Sequence, residues 1–128
     1  MFELTVNTHF DAAHFLRGYQ GKCAQIHGHT WRVQAKVRGQ QLDQIGMLID
    51  FSLLKSKLKE ITDDFDHVLL NDLDCFSQVN PTAECISKYI FDRYCETLRK
   101  YNVQVCYVQV WESSGAAAAY FEDYKGLL

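Results

Sequence analysis

Two stretches near the start of the chain alternate between apolar and polar residues. Residues 2–14 (FELTVNTHFDAAH) alternate imperfectly and are rich in β-formers, which predicts a strand. Residues 29–38 (HTWRVQAKVR) alternate more strictly and predict a second strand. Between them, residues 15–26 carry Gly18, Gly21 and several charges, and read as a loop. The two strands are therefore expected to pair as an antiparallel hairpin with a long tip. His14 and His27 would sit at its rim.

The pattern then changes. Residues 39–43 read as a turn and residues 46–50 as a short strand. Asp50 or Ser52 is placed to cap a helix over about 53–65, where Leu54, Leu58 and Ile61 recur at helical spacing. Residues 66–80 read as irregular. Pro81 or Thr82 opens a second helix running to about residue 101, with Ile86, Tyr89, Ile90, Tyr94 and Leu98 on one stripe. Residues 103–112 alternate again, which puts Val103, Val105, Tyr107, Gln109 and Trp111 on one face, and a last strand fits 118–124. This order predicts an α+β fold, a four-stranded mostly antiparallel sheet with two helices on one face. With no linker, repeat or low-complexity segment, residues 1–128 are expected to form a single domain.

Composition narrows the function classes. Hydrophobic residues make up 48% of the 128 positions, enough for a sizeable core. The net charge is -3 and no basic block occurs, which argues against nucleic acid or an anionic membrane as partner. No apolar run approaches the roughly 20 residues that span a bilayer. The start, Met1-Phe2-Glu3-Leu4, has neither a charged nor an apolar signal region, so a cytoplasmic location is expected. Five cysteines, an odd number with no CxxC, make a disulfide framework improbable. Cys85, Cys95 and Cys106 fall within helix or strand patterns and read as small buried hydrophobes. Cys23 stands apart, among Gly21, Lys22 and histidines.

That neighbourhood carries the candidate chemistry. His27 and His29 are two apart, so on a strand both leave the same face, and Gly28 between them adds no side chain opposite. With His14 they match the three-protein-ligand pattern of a catalytic zinc, which keeps one position open. All-nitrogen ligation favours zinc over magnesium or calcium and is compatible with iron, cobalt or nickel. His9, five positions before His14, is expected to face the opposite way. Cys23 is open to three readings: fourth ligand, nucleophile or base. Asp66-His67 pairs a carboxylate with an imidazole able to move protons near neutral pH, although neighbours on a strand would diverge. Thr82 reads as a helix cap and Glu112 as the acid at a strand end. Arg17 and Lys22 are anion-binding candidates by charge alone.

Several runs resemble one family. Phe10-Asp11-Ala12-Ala13-His14, then Cys23-x3-His27-Gly28-His29, then Asp66-His67-x2-Leu70-Asn71, then Asn80-Pro81-Thr82-x-Glu84 are similar to motifs of the 6-pyruvoyltetrahydropterin synthase superfamily. The three-residue gap after Cys23 most resembles the bacterial 6-carboxytetrahydropterin synthases of the 7-deazaguanine (queuosine) route. The resemblance implies the tunnelling fold, with trimers stacked into a hexamer. It implies zinc on His14, His27 and His29, and Cys23 as a proton-transfer group working with Asp66 and His67. It makes Glu112 the anchor of a pterin ring and places Thr82 at the pocket. The implied reaction removes triphosphate and acetaldehyde from 7,8-dihydroneopterin triphosphate. Phe65 and Ser113 depart from the family's usual leucine and threonine. Three alternatives stay open: a sister enzyme making the 6-pyruvoyl product, a zinc hydrolase, and a pterin- or metal-binding protein without turnover.

Overall fold

The computed structural model describes residues 1–122. Strand β1 (Phe2–His14) and strand β2 (His27–Gly39) pair antiparallel along their whole length, from Phe2 opposite Gly39 to His14 opposite His27. Strand β3 (Gln104–Ser113) joins the other side of β2, and β4 (Ala116–Phe121) joins β3, so the order is β1-β2-β3-β4. One face of the sheet carries Val6, Phe10, Ala12, Trp31, Val33, Ala35 and Val37, all buried. Helices α1 (Phe51–Asp63) and α2 (Ala83–Thr97) pack on that face, giving the expected antiparallel α+β fold. His9 is exposed on the opposite face, as its spacing from His14 predicts.

The helices form where caps and apolar periodicity coincide. Asp50 accepts a hydrogen bond from Ser52 N at 2.7 Å, and Thr82 Oγ1 accepts from Cys85 N at 3.1 Å. Leu54, Leu58 and Ile61 of α1 meet the core, as do Ile86, Ile90, Phe91 and Tyr94 of α2. Each such side chain contributes roughly 1.5–3 kcal/mol through burial. The Tyr94 hydroxyl crosses between the helices to donate to Leu54 O at 2.8 Å.

Some expectations are corrected. Residues 46–50 are not a strand: Asp43 Oδ1 accepts from both Ile45 N and Met47 N at 3.0 Å, and Gly46 takes φ +87°. The face assigned to 103–112 changes partway. Lys36 pairs with Tyr107 but Val37 pairs with Val105, so Cys106 is an extra residue in the ladder. Val105 is therefore buried with Val108 and Val110, while Tyr107, Gln109 and Trp111 face away from the helices. Helix α1 begins and ends two residues before its expected bounds, and α2 stops at Thr97 before a turn. The last strand spans Ala116–Phe121, and the positions expected beyond residue 122 lie outside the described residues. Cys85, Cys95 and Cys106 are half-buried, and all five thiols are unpaired. Among the described residues no helix is long and apolar enough to cross a membrane.

Candidate metal centre and its surroundings

Register brings the histidines together. His14 lies opposite His27 and Ala12 opposite His29, all at one end of the hairpin. Side-chain parity then sets the face. His27 and His29 continue the buried series Trp31 and Val33, and His14 continues Phe10 and Ala12, so all three point to the helix side. Ring centroids are 4.5 Å apart for His14–His27, 4.8 Å for His27–His29 and 5.3 Å for His14–His29.

The protonation of His14 follows from its neighbours. Nδ1 lies 2.8 Å from the carbonyl of Pro81, which can only accept, so Nδ1 carries the hydrogen. Nε2 is then left with a lone pair, and it is buried without a hydrogen-bond partner. His27 makes the same kind of bond, Nδ1 to Gln25 O at 2.7 Å. Nε2 of His29 is also buried without a partner. Burial pushes the pKa of His14 and of His29 below the ordinary histidine value, which favours the neutral form that binds metal.

Glu112 completes the group. By parity it continues Val108 and Val110, and it is the unpaired residue where Trp111 faces Ala117 and Ser113 faces Ala116. Its Oε2 lies 3.8 Å from His14 Nε2 and its Oε1 3.5 Å from His29 Nε2. A ligand atom from each of His14, His27, His29 and Glu112 falls within 4.8 Å of the others. A carboxylate aimed at the His14 lone pair is repelled unless a cation lies between them. Two orphaned imidazole nitrogens, a third beside them and an adjacent carboxylate therefore fit a divalent metal of the zinc type.

The other expected site residues take separate places. Cys23 lies in a single 3₁₀ turn (Lys22–Ala24), half-buried and outside the group of ligand atoms. Its carbonyl accepts from Leu16 N at 2.8 Å, which folds the loop back on the end of β1. Asp66 and His67 form a second group with Asp11. They are on a turn, not a strand, and His67 has φ +58°, so these neighbours converge: Oδ2 and Nδ1 are 3.0 Å apart. The Asp11 amide, at 2.9 Å from Asp66 Oδ1, and then His67 hold the Asp66 carboxyl below its usual range. The His67 side chain is 77% exposed, yet it shares a shallow depression with Gly28 and His29. Cys23 joins neither group.

Thr82, the cap of α2, lines a groove of about 390 Å³ with Leu16, Glu84, Glu112 and Ala117. Arg17 is not turned toward an anion site: its guanidinium donates to Phe76 O at 2.8 Å and Val79 O at 3.3 Å. Sequence reasoning misses the Pro81 carbonyl, because a main-chain acceptor leaves no side-chain signal.

A family model described as 6-pyruvoyl tetrahydropterin synthase matches residues 3–123. The chain is 42% identical over 118 residues to the 6-carboxy-5,6,7,8-tetrahydropterin synthase of Bacillus subtilis, covering 86% of this chain and 77% of that one. It is 33% identical over 147 residues to the protein of that name from Haemophilus influenzae, covering 95% and 100%. Among solved structures, 6-pyruvoyl tetrahydropterin synthase of Caenorhabditis elegans superposes with a TM-score of 0.84 at 25% identity, over 95% of this chain and 96% of that one.

Proposed function

The chain belongs to the 6-pyruvoyl tetrahydropterin synthase family, and within it we propose the activity of a 6-carboxy-5,6,7,8-tetrahydropterin synthase. The enzyme converts 7,8-dihydroneopterin triphosphate and water to 6-carboxy-5,6,7,8-tetrahydropterin, triphosphate and acetaldehyde. The observation that carries this reading is the convergence of His14, His27, His29 and Glu112 at one end of the helix-covered face, beside the groove that Thr82 lines. Relatives named for this activity match over most of the chain and support it.

His14, His27 and His29 are the metal ligands. A zinc ion bound there supplies positive charge that stabilises the anion developing on the substrate's side chain. Cys23, close in sequence to His27 but outside the ligand group, takes and returns the proton on the carbon chain. The Asp66 carboxylate accepts from His67 Nδ1–H, which leaves Nε2 of an exposed imidazole free to exchange protons. Glu112 offers two acceptor oxygens to the two adjacent N–H groups on the guanidine-like edge of the pterin. Thr82 and the start of α2 line the same groove.

The exposed pair Asp66–His67 and the separate Cys23 are brought together by a neighbouring subunit. Strands β1 and β4, the two sheet edges, pair with other copies in trimers that stack to a hexamer. The whole chain acts as one catalytic domain in the cytoplasm, on the 7-deazaguanine (queuosine) route. The test is turnover of 7,8-dihydroneopterin triphosphate by zinc-loaded protein, beside Cys23→Ala. The variant is expected to keep its zinc and lose turnover. Loss of zinc with activity would make Cys23 a fourth ligand and close the site.

A further inference from the structure

Past His14 the chain leaves β1, yet its outer edge stays paired. Ala13 N donates to Val68 O at 3.1 Å. Two residues on, Phe15 N donates to Asn71 Oδ1 at 3.0 Å, and Phe15 O accepts from Asn71 Nδ2 at 2.9 Å. Two further on, Arg17 N donates to Asn80 Oδ1 and Arg17 O accepts from Asn80 Nδ2, both at 2.9 Å. Each carboxamide thus satisfies both main-chain groups of one residue, as a neighbouring strand would. A carboxamide can do this because it carries an acceptor and two donors on one planar group. The residue after Asn80 is Pro81, whose carbonyl takes the hydrogen of His14 Nδ1 at 2.8 Å. The Arg17 guanidinium closes the arrangement by donating to Phe76 O and Val79 O.

We propose that Asn71 and Asn80 are positioning residues for His14, two side-chain clamps that fix the direction of its Nε2. The inference rests on His14 being a metal ligand. Without the clamps the segment after His14 can shift against the segment before Pro81, and the hydrogen bond that selects the Nδ1–H tautomer is lost. His14 would then present Nε2 only part of the time, and metal affinity would fall by that fraction. Groups that orient a ligating histidine are typically worth 10- to 100-fold in metal affinity.

Asn71→Asp and Asn80→Asp keep the shape and one acceptor but remove the donor, leaving a carboxylate oxygen against a carbonyl. Zinc affinity, measured by competition with a chromophoric chelator, is expected to fall about 10- to 100-fold in each. The ¹⁵N signals of the His14 ring in zinc-free Asn80→Asp are expected to move from the Nδ1–H tautomer toward a mixture. Zinc affinity within about twofold of wild type in both folded variants overturns the inference, whatever happens to their melting temperatures. If neither variant folds, amide exchange in the wild type decides. Coupling between clamp and ligand is reciprocal, so zinc is expected to slow exchange at Phe15 and Arg17 more than in α1. Equal slowing overturns the inference. Wild type that takes up no zinc overturns the metal reading itself, and the clamps with it.

Discussion

At His14, burial and hydrogen bonding act together. The side chain is 1% exposed, and the Pro81 carbonyl takes its one ring hydrogen. Desolvation lowers its pKa and that of His29 below the ordinary 6.5. The sign follows from proton uptake. Above 6.5 both folded and unfolded chains hold these rings neutral. Below it the unfolded chain binds protons that the folded chain resists, so stability falls as pH falls. Zinc-free protein is therefore expected to lose stability between pH 7 and pH 5, each histidine adding at most about 1.4 kcal/mol per pH unit. Urea unfolding across that range checks it, and a pH-independent midpoint would show the rings are not held neutral by the fold. Glu112 carries a second prediction. In the proposed pterin anchor, Glu112→Gln turns one acceptor into a donor facing a ring N–H, a loss of about 1–3 kcal/mol. Pterin binding is expected to weaken about five- to 150-fold with zinc content unchanged. Loss of zinc instead would make Glu112 a ligand.

The elements decide which residues meet. Period-two spacing alone puts His27 and His29 on one face, and both strands of the hairpin are legible because their alternation is long. Strand β3 is less legible. The extra Cys106 shifts its register, so the face read from Val103 and Val105 does not continue through Tyr107 and Trp111. A bulge is a ladder defect set by the partner strand, and β3 alone does not signal it. Glu112 keeps the parity of Val108 and Val110, and a second bulge leaves it unpaired opposite β4. Residues 46–50 mislead because a short apolar run resembles a strand until a partner is sought. The caps of both helices are legible, since Asp50 and Thr82 are residue types that serve there. Thr82→Ala is expected to cost about 1 kcal/mol of stability, read by urea unfolding, and Thr82→Ser to restore it. A fully stable Thr82→Ala would leave Thr82 to the groove alone.

Over the whole molecule, the sheet closes neither edge by itself. The turn holding Asp66 to Leu69 covers β1 only around Asp11 and Ala13. Earlier positions of β1 and all of β4 have no further strand beside them among the described residues. The fold class was readable from the order of periodic segments. Assembly was not, because nothing within one chain records what lies beyond an edge strand. The proposed hexamer predicts a mass near six chains of 14.8 kDa by light scattering, and a monomer at micromolar concentration would undercut a site shared between subunits. The most direct measurement of the proposed activity is mass spectrometry of the pterin formed when zinc-loaded protein meets 7,8-dihydroneopterin triphosphate. The expected product is 6-carboxy-5,6,7,8-tetrahydropterin with acetaldehyde. A 6-pyruvoyl product, or recovery of unchanged substrate, would contradict it.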